Sequence, residues 1–185
     1  MKLNVPQYDY GLLKSYGEDV FISDDVEIRR PHLVSVGNHV AIDSGFYCTT
    51  AAEIGDYIHI ADHVSVIGGE HGTLKMEHFS FVGGGSRIIC CTDSFAGDGL
   101  IGPTIPEQYR VVKYGSVLFK RFSGLGSCVT VTPGVFLAEG SCVAACSLLM
   151  ESTRPWMLYK GTPAKPFKGR RPDKILAAAK ELGYL

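Results

Sequence analysis

"VGNHVA IDSGFY CTTAAE IGDYIH IADHVS", Val36 to Ser65, decides the fold once it is written in sixes. Each hexad opens on an apolar residue: Val36, Ile42, Cys48, Ile54 and Ile60, with Val66 next in line. The fifth places hold Val40, Phe46, Ala52, Ile58 and Val64, and the second is often small. An amphipathic helix needs apolar residues three and four apart. A half-buried strand alternates by two along its length, with hairpin turns between strands. A marker every six residues, with a second one four later, is the pattern of a hexapeptide parallel β-helix. Each hexad gives a short strand and a corner, and three hexads make one triangular coil. The first residue points inward. The fifth packs near a corner, where Phe46 is the large exception. Gly, Asn and Asp at the second to fourth places suit corners where φ turns positive.

The beat returns at Met76, "MEHFSF VGGGSR IICCTD", and again at Phe119, "FKRFSG LGSCVT VTPGVF LAEGSC VAACSL", with Leu149 in register. Val36 and Ile54, and likewise Phe119 and Leu137, stand one coil apart, and all four are apolar. Two stretches interrupt the beat. "IGGEHGTL", Ile67 to Leu74, is short. The other runs from Asp93 to Val117. Structureless loops longer than about 12–15 residues are usually functional or disordered, and Phe95, Leu100, Ile101, Ile105 and Tyr109 make this one too apolar for simple disorder. "ISDDVEIRR" from Ile22 reads as a first, imperfect coil. "RPDKILAAAKELGYL" reads as a helix, with Pro172 in its first turn, Ile175, Leu176, Ala179 and Leu182 on one face, and Gly183 ending it. The expected organisation is an N-terminal segment over 1–20, a β-helix over 21–153 with the loop 93–117 inserted, and a tail with the helix over 154–185.

With 185 residues, 45% hydrophobic and 20% charged, the chain suits one packed domain. A net charge of −1 argues against a nucleic-acid partner. The C-terminal part is nonetheless basic, through Arg154, Lys160, Lys165, Lys168, Arg170, Arg171, Lys174 and Lys180 against Asp173 and Glu181. Such a terminus can hold phosphate or form a solvated surface. The six cysteines show no zinc-ligand spacing. All six are expected as buried thiols, which fits a reducing cytoplasm. "MKLNVPQYDY" carries no signal-peptide core, and no apolar run is long enough to span a membrane.

The stretch "VTVTPGVFLAEGSCVAACSLLMESTRPWMLYKGTPAKPFKGR", Val129 to Arg170, resembles the C-terminal signature of hexapeptide-repeat acyltransferases. The resemblance covers Val36 to Lys168. It implies an all-β, left-handed parallel β-helix, a homotrimer with active sites between subunits, and acetyl-CoA as co-substrate with no metal. "TDSFAGDGLIGPTIPEQYR", Thr92 to Arg110, is similar to sugar acetyltransferases of lipopolysaccharide and O-antigen biosynthesis. These act on the amine of a nucleotide-linked deoxyamino sugar or, alternatively, on a sugar hydroxyl. The resemblance implies that coenzyme A runs beside small residues of the late coils, Gly124, Gly126, Ala144 and Ala145. The turn from Lys160 through Thr162, Pro163 and Lys165 resembles the coenzyme-binding tail, with Lys168, Arg170 and Arg171 placed for phosphates.

Acyl transfer needs a nucleophile freed of its proton. Related enzymes carry a histidine near the place where this chain has Asp93-Ser94. Here His59, at a sixth position, is similar to the site histidine of bacillosamine-type amino-sugar acetyltransferases, in which the base lies nine residues earlier. That earlier place is Thr50, so His59 is a candidate base, with Asp93 or the substrate itself as the open alternatives. Two roles are open to Asp93: binding and deprotonating the acceptor amine across a subunit interface, or ordering the loop by an Asx-type turn. His63 at a corner, His71 in the first loop, Ser94 and Tyr109 are candidate substrate contacts. His32, His39 and His78 read as surface residues. Two rival readings remain: a γ-carbonic-anhydrase-like zinc enzyme, which needs three convergent ligands, and a non-catalytic β-helix scaffold.

Overall fold

A computed structural model describes residues 7–185. Three parallel sheets form the sides of a triangular prism. Face 1 stacks Ser15–Tyr16, Val34–Val36, Ala51–Ile54, Thr73–Met76, Ser116–Phe119 and Phe136–Leu137. Face 2 stacks Phe21–Ile22, Ala41–Ile42, His59–Ile60, Phe81–Val82, Gly124–Leu125 and Cys142–Val143, then closes with the hairpin Met157–Gly161 and Ala164–Gly169. Face 3 stacks Glu27–Ile28, Tyr47–Cys48, Ser65–Ile67, Arg87–Ile89, Thr130–Val131 and Leu148–Leu149. The first strand, Ser15–Tyr16, already pairs with face 1, inside the segment that the sequence sets apart as N-terminal.

The register follows the repeat. Val36 pairs with Ile54, and Phe119 with Leu137. First-place residues such as Ile42, Ile60, Met76, Leu125 and Leu149 are buried, and so are the fifth-place residues Val40, Phe46, Ala52, Ile58 and Val64. Later coils put serine in the fifth place, and most of these hydroxyls are satisfied inside. Ser86 donates to the Gly126 carbonyl at 3.1 Å, and Ser123 to the Lys120 carbonyl at 2.6 Å. Ser141 meets Thr153 at 2.7 Å. The buried Ser80 hydroxyl has no partner among the described residues.

The fourth place of the hexads on the first two faces is the corner residue. His39, Tyr57, Phe79 and Phe122 turn the corner from face 1 to face 2 with φ of 55°, 55°, 61° and 63°. A left-handed residue other than glycine costs roughly 1–2 kcal/mol. Here the rings stack along the prism edge at 4.5, 5.1 and 5.4 Å between centroids. Each aromatic pair returns about 0.5–1.5 kcal/mol beyond its buried area, so stacking roughly offsets the backbone strain. Gly140 takes the next corner, and Trp156 fills the space above it, 6.0 Å from Phe122.

The corner from face 2 to face 3 carries Gly45, His63, Gly85, Cys128 and Cys146, also at positive φ. This corrects the expectation of six buried thiols. Cys128 and Cys146 are exposed, Cys91 and Cys142 partly so, and only Cys48 and Cys90 are buried. A fourth-place side chain faces out, whatever its hydrophobicity. Burial pushes the Cys48 and Cys90 thiols up to about 11 and about 12, so neither supplies a thiolate.

The long insertion leaves between faces 3 and 1 as a β-ribbon rather than an open loop. Cys91–Asp93 runs antiparallel to Val112–Tyr114, and a 3-10 turn at Glu107–Tyr109 folds the far side. The C-terminal helix α1, Asp173–Glu181, follows Pro172, and Gly183 past its end has φ +80°. It lies against the aromatic edge. Tyr184 packs edge-on to Tyr57 and Phe79 and donates its hydroxyl to Asp56 at 2.7 Å. Among the described residues no helix is long and apolar enough to cross a membrane.

Candidate active site

Side chains alternate along each short strand, so every two-residue strand of face 2 turns one residue inward and one outward. The outward column includes Ala41, His59, Phe81 and Gly124, held in register by Ala41 opposite His59, His59 opposite Phe81 and Phe81 opposite Gly124. His59 is therefore exposed. Its Nε2 lies 2.8 Å from the Asp43 carboxylate. Beside it runs a groove of about 490 Å³ lined by Asp19, Phe21, His39, Val40, Ala41, Asp43, Tyr57, Ile58 and His59. Phe21, Val40, Ala41 and Ile58 give it an apolar lining. A second histidine–carboxylate pair, His39 with Asp19 at 3.1 Å, stands on the same groove.

Asp93 occupies a different corner. Its Oδ1 accepts from Arg110 Nε at 3.0 Å and Nη2 at 2.7 Å, and its Oδ2 from the Gly102 amide at 3.1 Å. Both side chains are largely buried, 12% exposed for Asp93 and 18% for Arg110. Within one chain the carboxylate pins both sides of the inserted loop. These bonds reach nine and seventeen residues along the chain, so no local Asx turn is involved. Ser94 is buried beside it, with its amide on the Val111 carbonyl at 2.7 Å. Tyr109 is exposed on the 3-10 turn. His71 stands edge-on to Tyr114 at 5.0 Å, which brings the first loop against the ribbon. Thr50 is buried and its hydroxyl donates to the Gly72 carbonyl, so this residue closes the first loop. His63 stays at the face 2–face 3 corner. A single chain thus brings His71 to the Asp93 loop and leaves His59 on another face. His78 is more than a surface residue. Its Nδ1 accepts the Asp56 amide at 2.9 Å, so the 3.4 Å approach of that nitrogen to the Asp56 carboxylate is not an ion pair.

No protein-family profile matches the chain. An Escherichia coli dTDP-4-amino-4,6-dideoxy-D-glucose acyltransferase is 31% identical over 162 residues, covering 85% of this chain and 82% of that one. The chain belongs to the hexapeptide-repeat sugar acyltransferases. A crystal structure of AntD, an N-acyltransferase from Bacillus cereus, in a substituted form bound to dTDP-4-amino-4,6-dideoxyglucose and coenzyme A, superposes with a TM-score of 0.88. It is 33% identical and covers 94% of this chain and 92% of that one. WbbJ of Escherichia coli strain K12, assigned to lipopolysaccharide biosynthesis as an O-acetyl transferase, is 29% identical over 63% of this chain and 56% of its own.

The residues expected on the donor side fall into two groups. Gly126, Ala144 and Ala145 meet at the face 2–face 3 corner, where a Cβ on Gly126 would stand 2.7 Å from the Ala145 nitrogen. Gly124 is different, because the Phe81 ring already fills the space its Cβ would take. Along the tail, Gly161 at φ +103° turns the hairpin through Thr162 and Pro163. Lys160 caps the Phe167 ring at 4.7 Å, and Lys165 lies 3.6 Å from Glu151. Arg170 is committed inward, with Nη1 on the carbonyls of Phe122 at 2.7 Å and Gly140 at 3.0 Å. Lys168 and Arg171 are exposed and pair with no acidic group among the described residues. Among the described residues no three His, Cys, Asp or Glu side chains converge as metal ligands.

Sequence reasoning missed Asp43 and Arg110. Asp43 precedes His59 by sixteen residues, two short of the coil step, which places the two diagonally across neighbouring strands. That spacing was a usable signal. Arg110 carries none, because its partner lies across an irregular loop.

Proposed function

We propose that this acyltransferase moves an acetyl group from acetyl-CoA to the amine of a nucleotide-linked deoxyamino sugar. The observation that carries the reading is the likeness to AntD across nearly the whole chain, since that structure holds both an amino-sugar nucleotide and coenzyme A. The amine lone pair attacks the thioester carbonyl carbon. A C–N bond forms, the C–S bond breaks, and the coenzyme leaves as a thiolate. His59 takes the amine proton and returns it to the thiolate. Asp93 serves the acceptor side by ordering the loop that walls the pocket, with His71, Ser94 and Tyr109 on that loop or against it and His63 at the neighbouring corner. The exposed small residues Ala144 and Ala145, packed against Gly126, take the pantetheine arm, and Lys168 and Arg171 are exposed cations for its phosphates. A homotrimer completes each site, because one chain leaves His59 and Asp93 on different faces. An activated-sugar acceptor fits cytoplasmic tailoring of precursors for surface polysaccharide. The likeness to WbbJ supports transfer to a sugar hydroxyl as the second reading.

The test incubates the protein with acetyl-CoA and separate panels of nucleotide-linked amino sugars and plain sugars, read by mass spectrometry. Acetyl added to an amino sugar is the expected result. Silence across both panels would refute the reading. His59→Ala should lower kcat about 10²-fold or more if the imidazole is the base.

A further inference from the structure

We infer that Asp43 is the positioning residue of His59, fixing its Nε2–H tautomer so that Nδ1 is the nitrogen that accepts the substrate proton. The inference rests on His59 being the base. A carboxylate only accepts hydrogen bonds. At 2.8 Å from Asp43, the imidazole Nε2 must therefore carry the hydrogen, and the lone pair of a neutral ring falls on Nδ1. Asp43 is itself held, because its amide donates to the Ile60 carbonyl at 2.9 Å, next to His59 in the chain. The pair is a poor stability device. The side chains are 56% and 38% exposed, and exposed ion pairs are worth about 0–1 kcal/mol. Its location argues for another role, since both residues line the same apolar-floored groove. An oriented ring costs nothing further to align when the substrate arrives. A free histidine would divide between tautomers and rotamers. An aspartate holding a catalytic histidine in one tautomer changes rate far more than stability.

The decisive variants are Asp43→Asn and Asp43→Glu in the full chain, assayed with acetyl-CoA and whichever acceptor the panels show to be turned over. Asp43→Asn keeps the shape but can donate as well as accept, so it no longer selects one tautomer. Its kcat should fall about 10²-fold or more, with the KM of both substrates changed by less than about threefold. Asp43→Glu should recover part of the rate. Nitrogen-15 NMR of the imidazole, recorded without substrates, should show Nε2–H in the wild type and a mixture in Asp43→Asn. Asp19, His39 and Tyr57 also line the groove and stay unchanged in this comparison. An unaltered tautomer in Asp43→Asn overturns the inference whatever the activity. A wild-type rate in Asp43→Asn, with His59→Ala inactive, also overturns it while leaving the base in place. A wild-type rate in His59→Ala removes the base and the inference together.

Discussion

Arg110→Met should open the inserted loop without unfolding the prism. Asp93 and Arg110 are only 12% and 18% exposed, so their contact is not a screened surface pair. Arg110 contributes two hydrogen bonds to one carboxylate oxygen, at 3.0 and 2.7 Å, while the other oxygen holds only the Gly102 amide. Removing the guanidinium leaves a buried charge with a single donor. Breaking such a pair from one side costs about 3–5 kcal/mol. The loop lies outside the stacked coils and can relax toward water, so the cost falls on its own opening equilibrium. About 1.4 kcal/mol is tenfold, so loop amides should lose roughly 10² to several 10³-fold in protection. Hydrogen exchange read by mass spectrometry should place the loss in the ribbon Cys91–Asp93 and Val112–Tyr114, with the coil strands Ile60 and Val82 belong to unchanged. Asp93→Asn should open the loop less, because its one amide oxygen can still accept from Arg110, although the amide NH2 then faces the Gly102 N–H and that bond is lost. Comparing both variants with the double variant isolates the coupling. Equal ribbon protection in Arg110→Met and wild type would refute the argument that this contact orders the loop.

Gly140→Ala tests the aromatic edge. The new Cβ would stand 2.3 Å from the Trp156 ring at a φ of +67°, so the ring must move off Phe122. Backbone strain and lost stacking together cost about 2–3 kcal/mol, or roughly 5–10 °C in Tm. The chain has one tryptophan, so its fluorescence should shift as well, and an unchanged Tm with unchanged emission would contradict the packing. The helix latch should depend on pH at both ends. Burial pushes the Asp56 carboxyl up, but the hydrogen bonds from the Asn38 amide and the Tyr184 hydroxyl outweigh it and hold the group below its usual value. A depressed carboxylate stabilises above its unfolded pKa of about 3.9 and loses that contribution as pH falls through the folded value. The Tyr184 hydroxyl, raised to about 12 by its hydrogen bond to Asp56, contributes below its unfolded pKa of about 10 and is lost toward 12. Hydrogen exchange of α1 should therefore accelerate in acid and in strong base, and Tyr184→Phe should flatten both limbs.

How far the sequence could be read depends on whether a residue's environment comes from the coil or from outside it. The first and fifth places of a hexad face the same interior whatever lies beyond, so Ile42, Val64 and Leu137 were assignable from spacing alone, and all are buried. The fourth place was only half legible. Its positive φ follows from the corner, but the reason Tyr57, Phe79 and Phe122 tolerate it lies one coil up and one coil down, in rings that stack only after the coils close. The same place misled the reading of cysteine, because hydrophobicity suggested burial for Cys128 and Cys146 while the period put them outside. Period outranks composition in a solenoid, since a side chain cannot turn inward without moving its coil.

The site divides along the same line. His59 and Asp43 both sit in regular coils, so their meeting follows from an eighteen-residue step less two, and any residue that close to the step belongs on a list of partners. Asp93 and Arg110 meet through an excursion that obeys no period, and although Arg110 is the one cation in "TDSFAGDGLIGPTIPEQYR", no spacing there says that it folds back onto Asp93. The loop also explains why the usual loop histidine can be absent. Both oxygens of the Asp93 carboxylate are already engaged, Oδ1 by Arg110 and Oδ2 by the Gly102 amide. That leaves Asp93 suited to holding shape rather than to taking protons. In the proposed mechanism the proton goes to a group outside the loop, and His59, exposed and 2.8 Å from the Asp43 carboxylate, stands on face 2. On the proposed roles, acceptor binding and proton transfer sit on different faces of one chain, and a second copy is the simplest way to bring them together.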